Sequence, residues 1–232
     1  MNLRERERSL PELMDDPDCD PVRLARTLRR FGAVNRLISG WGTVYRDRVR
    51  PALQRLGHPA RVLDLGCGGG DLLARLAALA RADGIEAEWV GADPDPRALP
   101  VARRRAGDGV RFVQADSTAL LRAGERFDLV VSNHVLHHLT PAELEQFAAD
   151  SLRLSSGPVL HADIARDVRA YGLYAVGITP FAPGTFLRTD GLRSIRRSYR
   201  AGELGAALAS TGTWEIARPV PFRLLAVGQG DG

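Results

Sequence analysis

A doubly wound α/β fold is the class this sequence predicts: a seven-stranded, mostly parallel sheet with an antiparallel last strand and helices on both faces. Three observations carry it. Between residues 60 and 164, short apolar runs alternate with helical patterns, the signature of a parallel sheet covered on both sides. The first run leads directly into the glycine-rich turn Gly66-Cys67-Gly68-Gly69-Gly70. Two further apolar runs close the chain across the tight turn Pro219 to Pro221, as an antiparallel edge pair would.

The elements follow in order. Residues 1–58 read as helical: Asp20 is an N-cap with Pro21 in the first turn, and Val22, Leu24, Ala25, Leu28 and Phe31 form an apolar stripe. A second helix is expected from Val44 to Leu56. The strand-like runs are ARVLDLG, EWVGAD, VRFVQAD, FDLVVSN and PVLHADI, each β-branched, short and bounded by Gly, Asp or Asn. DLLARLAALARADG, PRALPVARRR and PAELEQFAADSLRL are the helices between them. Residues 166–200 look irregular, with glycines and prolines among Tyr171, Tyr174 and Phe181. GELGAALAST is a final helix before the strands WEIARPV and FRLLAVG. The domain reading is an N-terminal helical cover at 1–58, then one domain at 59–232 with a lid insertion at about 166–199.

Composition narrows the function classes. In 232 residues, 44% hydrophobic and 26% charged, no stretch approaches the ~18 consecutive apolar residues of a membrane-spanning helix. The start, MNLRERERSLPELMDD, lacks the apolar core of a secretory signal, and two cysteines make no disulfide framework, so a cytoplasmic setting is expected. All 32 basic residues are arginine, which excludes Schiff-base chemistry on lysine and a Walker-type phosphate lysine. The net charge of +4 is scattered among 28 acidic residues, with Arg103-Arg104-Arg105 the one run, so a nucleic-acid surface is disfavoured.

Chemistry concentrates at the expected strand ends. In VLDLGCGGGD the glycines admit positive φ and close backbone approach to a ligand, and the helix that follows presents unpaired N–H groups. Asp64 is placed to organise this loop by hydrogen bonds to backbone N–H groups. The dinucleotide fingerprint G-x-G-x-x-G fails at its third glycine, where Asp71 stands and the glycine comes one place early at Gly70. Asp93 ends EWVGAD, where a carboxylate can accept from two ribose hydroxyls. Asp116 ends VRFVQAD, and Asn133 ends FDLVVSN just before the histidine-rich HVLHHL.

These residues resemble the class I S-adenosylmethionine-dependent methyltransferases, nearest their ubiquinone/menaquinone methylase-like small-molecule branch. The resemblance covers residues 58–165 well and extends to the closing helix and strands of this Rossmann-like fold. It implies S-adenosyl-L-methionine as cofactor, with Asp64, Gly66, Cys67, Gly68 and Gly70 against its methionine part. Asp93 and Pro94 would meet the ribose and adenine, Asp116 and Ser117 the adenine edge, and Ser132, Asn133 and His134 the floor beneath the acceptor. VGADPDP replaces the commoner Asp-x-Ser after the second strand, leaving Asp95 without a role.

A sulfonium methyl donor needs no metal or covalent nucleophile. An acceptor held in line, with a base if it is a hydroxyl, suffices. His134 and His161 are the candidate bases, whereas His137 and His138 read as structural. A metal on His134 and His138 lacks a third ligand, so none is expected. Asp163 and Arg166 are expected to pair. The implied reaction is O-methylation of a small aromatic or polyketide-like acceptor, with C-methylation of a quinone-like ring as the alternative. An NAD(P)-dependent dehydrogenase and a non-catalytic cofactor-binding module are the readings from other classes. The oligomeric state is not legible.

Overall fold

The computed structural model describes residues 3–231. Its sheet holds seven strands in the order β3-β2-β1-β4-β5-β7-β6. In chain order the elements begin with α1 (Pro21–Ile38), α2 (Trp41–Val44) and α3 (Arg50–Gln54), then β1 (Ala60–Leu65), α4 (Asp71–Ala82), β2 (Ala87–Asp93) and α5 (Leu99–Ala102). β3 (Val110–Gln114), α6 (Ser117–Arg122), β4 (Leu129–Asn133), α7 (Pro141–Leu154) and β5 (Pro158–Ile164) follow. The chain ends with α8 (Val168–Gly177), α9 (Leu187–Arg197), α10 (Ala201–Leu208), β6 (Glu215–Ala217) and β7 (Arg223–Gln229).

β1 to β5 pair in parallel and β7 runs antiparallel to both β5 and β6, as the sequence predicts. The order reverses between β1 and β4, so the crevice where such sheets bind ligands opens at the carboxyl ends of these two strands. Alternate residues of each central strand feed different cores. Val62, Leu129 and Val131 pack with Leu73 and Leu76 of α4, while Leu63, Val90 and Val130 pack with Leu152 and Leu154 of α7.

Asp20 caps α1 as expected, accepting from the Val22 and Arg23 N–H groups. Three expectations change. The helix expected at 44–56 begins earlier, at Trp41, and widens into a π-helical turn over Tyr45–Val49. Pro51 explains this: its ring clashes with a carbonyl one turn back, and the Arg50 N–H reaches the Tyr45 carbonyl instead. Residues 166–200 are not irregular but carry α8 and α9. Asp167 caps α8 through the Arg169 and Ala170 N–H groups, and packing of Tyr174, Ile178, Phe181 and Leu187 around Val34 outweighs the low helix propensity of Gly172 and Gly177. Residues 3–20 contain no α-helix. This segment runs as a strap across α9, with Arg193 donating to the Pro11 carbonyl and Arg196 paired with Glu7. No helix among the described residues is long and apolar enough to cross a membrane.

Candidate active site

The loop after β1 is shaped by glycine conformations that other residues resist. Gly66 and Gly70 have φ of +69° and +73°, and a Cβ at either would come within 2.6 Å of Val135 or Phe112. Asp93 ties the loop down: Oδ2 accepts from the Gly68 N–H at 2.7 Å and Oδ1 from the Asp95 N–H at 2.9 Å. The organising role expected of Asp64 therefore belongs to Asp93. Asp64 is 1% exposed, and neither carboxylate oxygen has a hydrogen-bond partner. Burial first, then Asp71 and Asp93, pushes its pKa well above the ordinary aspartate value. Two such bare acceptors beside a cavity call for a donor from outside the chain.

That cavity, about 630 Å³, runs from the glycine loop to the ends of β4 and β5. Of the residues singled out in the sequence, Asp64, Gly66, Cys67, Gly68, Asp93, Pro94, Asp116, Ser117, Asn133 and His134 border it. Gly70 does not: it turns the chain into α4 against Phe112, and Gly69 takes its place at the wall. Ser132 and His161 lie outside it too. They face each other across β4 and β5 at 2.8 Å, with His161 packed between Phe147 and Trp214 at ring separations of 5.0 and 5.6 Å. Asp116 caps α6 through the Ala119 N–H, and Ser117 donates to Asp150.

His161 instead predicts an acid sensitivity. Burial pulls its pKa from 6.5 to about 3, so the folded protein keeps it neutral where the unfolded chain protonates. Its contribution to stability is present above pH 6.5 and is lost as pH falls toward 3, roughly 3 kcal/mol by pH 4. Urea unfolding at pH 7 and pH 4 should show the His161→Gln variant losing less stability on acidification than the parent. Equal losses would dismiss this account.

His134 sits in a left-handed conformation, φ +62°, which breaks the helical spacing expected of HVLHHL. Arg223, brought beside the end of β5 by the antiparallel register of β7, donates to His134 Nε2 at 3.0 Å and to Asn133 Oδ1 at 2.9 Å. Burial and then the Arg223 charge hold the His134 pKa well below 6.5. With its lone pair already engaged, His134 does not fit the role of proton acceptor expected of it.

The turn brings His137 to the cavity instead. Its Nδ1 lies 2.7 Å from Asp163 Oδ1, and its backbone N–H donates to Asp163 Oδ2. Asp163 thus pairs with His137, not with Arg166, which binds the Leu3, Arg4 and Ser198 carbonyls and Glu203. On its other side, His137 Nε2 stands 3.3 Å from Oε1 of Glu12, a buried residue of the strap. Burial works against protonating this ring, but Asp163 and then Glu12 outweigh it and push the pKa up to about 9. The rest of the cavity is largely apolar, with Met14, Leu24, Leu28, Phe31 and Val34 from the N-terminal region and Tyr174 from α8.

Known methyltransferases share this fold. A family model described as a methyltransferase domain matches residues 62–156. A ubiquinone biosynthesis O-methyltransferase of Azorhizobium caulinodans is 32% identical over 209 residues, 78% of this chain and 79% of that protein. One of Brucella anthropi is 32% identical over 158 residues, but the match spans only 59% of its length. Among solved structures, human N-acetylserotonin methyltransferase with S-adenosylmethionine has a TM-score of 0.63 at 12% identity, covering 91% of this chain and 56% of that one. The CurJ carbon methyltransferase has a TM-score of 0.64 at 17% identity, covering 93% and 62%, a likeness of fold. Fold, glycine loop and relatives converge: the chain belongs to the class I S-adenosylmethionine-dependent methyltransferases, of the ubiquinone-methylase type.

Proposed function

We propose that the chain transfers a methyl group from S-adenosyl-L-methionine to the hydroxyl of a small aromatic or polyketide-like acceptor of phenol or enol type. The observation that carries it is one cavity with two chemically distinct ends, the glycine loop at one and the buried His137–Asp163 pair at the other. The first end fits the cofactor. Asp64 offers two unpartnered carboxylate oxygens to its ammonium, and Asp93 keeps lone pairs for the ribose hydroxyls while anchoring Gly68 and Asp95. Pro94, Asp116 and Ser117 border the part left for the adenine. When bound, the cofactor supplies an electrophilic methyl on a sulfonium.

This chain's own residues do the rest. His137, held between Asp163 and Glu12, places a protonated imidazole at the acceptor end, and its charge favours the anionic form of the acceptor oxygen, which is the nucleophile the reaction requires. Asn133 and His134, locked by Arg223, shape the wall between the two ends. The strap and α1 on one side and residues 166–199 on the other form the acceptor-site cover, and their apolar lining suits an aromatic body. A cytoplasmic setting belongs to this reading, in keeping with two free thiols, Cys19 and Cys67.

The relatives' names favour oxygen over carbon as the acceptor atom. The test is incubation with methyl-labelled S-adenosylmethionine and a panel of phenols, catechols and enolisable diketones, followed by carbon NMR of the products. An O-methyl signal is expected. A label found only on ring or chain carbon would make the chain a C-methyltransferase.

A further inference from the structure

We propose that a second cavity, between α1 and α4, binds a phosphate-type anion of two or more charges, the chemistry shared by pyrophosphate and the phosphate chain of a nucleotide. It stands independently of the acceptor reading above. Helical spacing builds the two walls. α1 turns Leu24, Leu28, Phe31 and Val34 to the first cavity, and Arg29, Gly32, Ala33 and Arg36 to the second. α4 meets that second face with Asp71, Ala74, Arg75 and Ala78, again three and four residues apart. Gly32 lets the helices approach, since a Cβ there would stand 3.3 Å from Asp71 Cβ. The space enclosed is about 630 Å³.

The polar groups around it are nearly all donors. Arg29, Arg36, Arg75 and Arg105 bring four guanidiniums, against the single carboxylate of Asp71. Asp71 Oδ2 already accepts from Asn35 Nδ2 at 3.0 Å, and Arg105 is tied to the Gly69 carbonyl. Among the described residues, the side chains of Arg29, Arg36 and Arg75 have neither a hydrogen bond nor a salt bridge. Burial first, and then the charge of Arg36, lowers the Arg75 pKa from its ordinary value. Like charges gathered on one cavity without a counterion from the chain favour an anion between them.

A second observation does not depend on charge. Trp41 is wholly buried and lines this cavity, and its indole N–H has no hydrogen-bond partner. A buried donor left alone is rare, and indole can only donate, so the group that completes it is an acceptor. Beside it, Ser39 Oγ accepts from the Trp41 backbone N–H and has its own proton left to give. A phosphate group answers both requirements: its oxygens are acceptors, and guanidinium forks match them bidentately. Four guanidiniums and one carboxylate leave three positive charges unbalanced, which is why the anion carries at least two.

The experiment is calorimetric titration of the full chain with pyrophosphate at an ionic strength of about 0.15 M. The chain is first saturated with S-adenosylhomocysteine, which takes the cofactor's own carboxylate out of the competition. One equivalent is expected to bind, about tenfold more weakly in Arg36→Gln and in Arg75→Gln. Trp41→Phe keeps an aromatic ring without the N–H, so affinity should fall by roughly threefold to tenfold. Tryptophan emission should change on titration of the parent and hardly at all in that variant. ATP and adenosine are further arms: binding of ATP without adenosine extends the site to nucleotide phosphates, and binding of pyrophosphate without ATP confines it to the free anion. S-adenosylhomocysteine affinity within about threefold of the parent shows that each variant is folded. No bound equivalent, or equal affinity in all three variants, overturns the site. Pyrophosphate binding that S-adenosylhomocysteine abolishes overturns it too, because the arginines would then serve the cofactor. The methyltransferase reading survives each of these outcomes.

Discussion

The His137→Ala variant is expected to lose methyl transfer by a factor of roughly 10² to 10⁴, the range in which a positioned proton-handling or charge-stabilising group contributes. Its affinity for S-adenosylhomocysteine should stay within about threefold of the parent, because the ring's polar partners, Asp163 and Glu12, both lie outside the glycine loop. The comparison of turnover with ligand affinity matters here, since the ring is also buried and its removal leaves Asp163 facing an empty space. His137→Gln retains a polar group near Asp163 and should fold more stably while remaining nearly as slow. Single-turnover rates with a labelled methyl donor are the measurement. A rate within threefold of the parent in both variants would remove His137 from the chemistry. His134→Ala should slow the reaction less, because its Nε2 is committed to Arg223.

Why His137 escapes a reading of the sequence is a matter of backbone geometry. HVLHHL looks helical, and on a helix one of the adjacent histidines turns toward the core as structure alone. The left-handed residue His134 breaks that phase, and no local pattern announces it, because a positive φ outside glycine is uncommon. Glu12 is less legible still. It reaches the site from an extended strap whose place is set by distant partners such as Asp190, Ser194 and Arg193. The central sheet was legible for the opposite reason. Strands buried on both faces must be short, continuous and β-branched, and helices between them must carry a stripe, so the pattern repeats locally along the chain. Asp93 was placed correctly at a strand end, whereas its second role, holding the Gly68 N–H, depends on the register of β1 with β2. α8 and α9 were hidden by glycines and prolines that packing on α1 overrides.

Asp93→Ala should produce the other large effect, on cofactor affinity. Each carboxylate oxygen already accepts one backbone N–H, and each has a further lone pair free for a ligand hydroxyl. Hydrogen bonds to a charged group contribute about 1.5–3 kcal/mol each, so losing two weakens S-adenosylhomocysteine binding by roughly 10² to 10⁴. Asp93→Asn separates the two roles of the side chain. The amide oxygen can still accept from Gly68 or from a ribose hydroxyl, while the amide nitrogen meets donors it cannot accept from, so about a tenfold to hundredfold loss is expected. Calorimetry with S-adenosylhomocysteine, beside urea unfolding of the ligand-free variants, tells loop disorder from lost contacts. Alanine should cost more affinity than asparagine, and the ligand-free stabilities should differ by less than the affinities do. If alanine binds as tightly as the parent, the ribose is held elsewhere and Asp93 serves the loop alone. In that case the unpartnered Asp64 carboxylate becomes the group to replace next, since among the described residues no other buried carboxylate in that wall lacks hydrogen-bond partners for both of its oxygens.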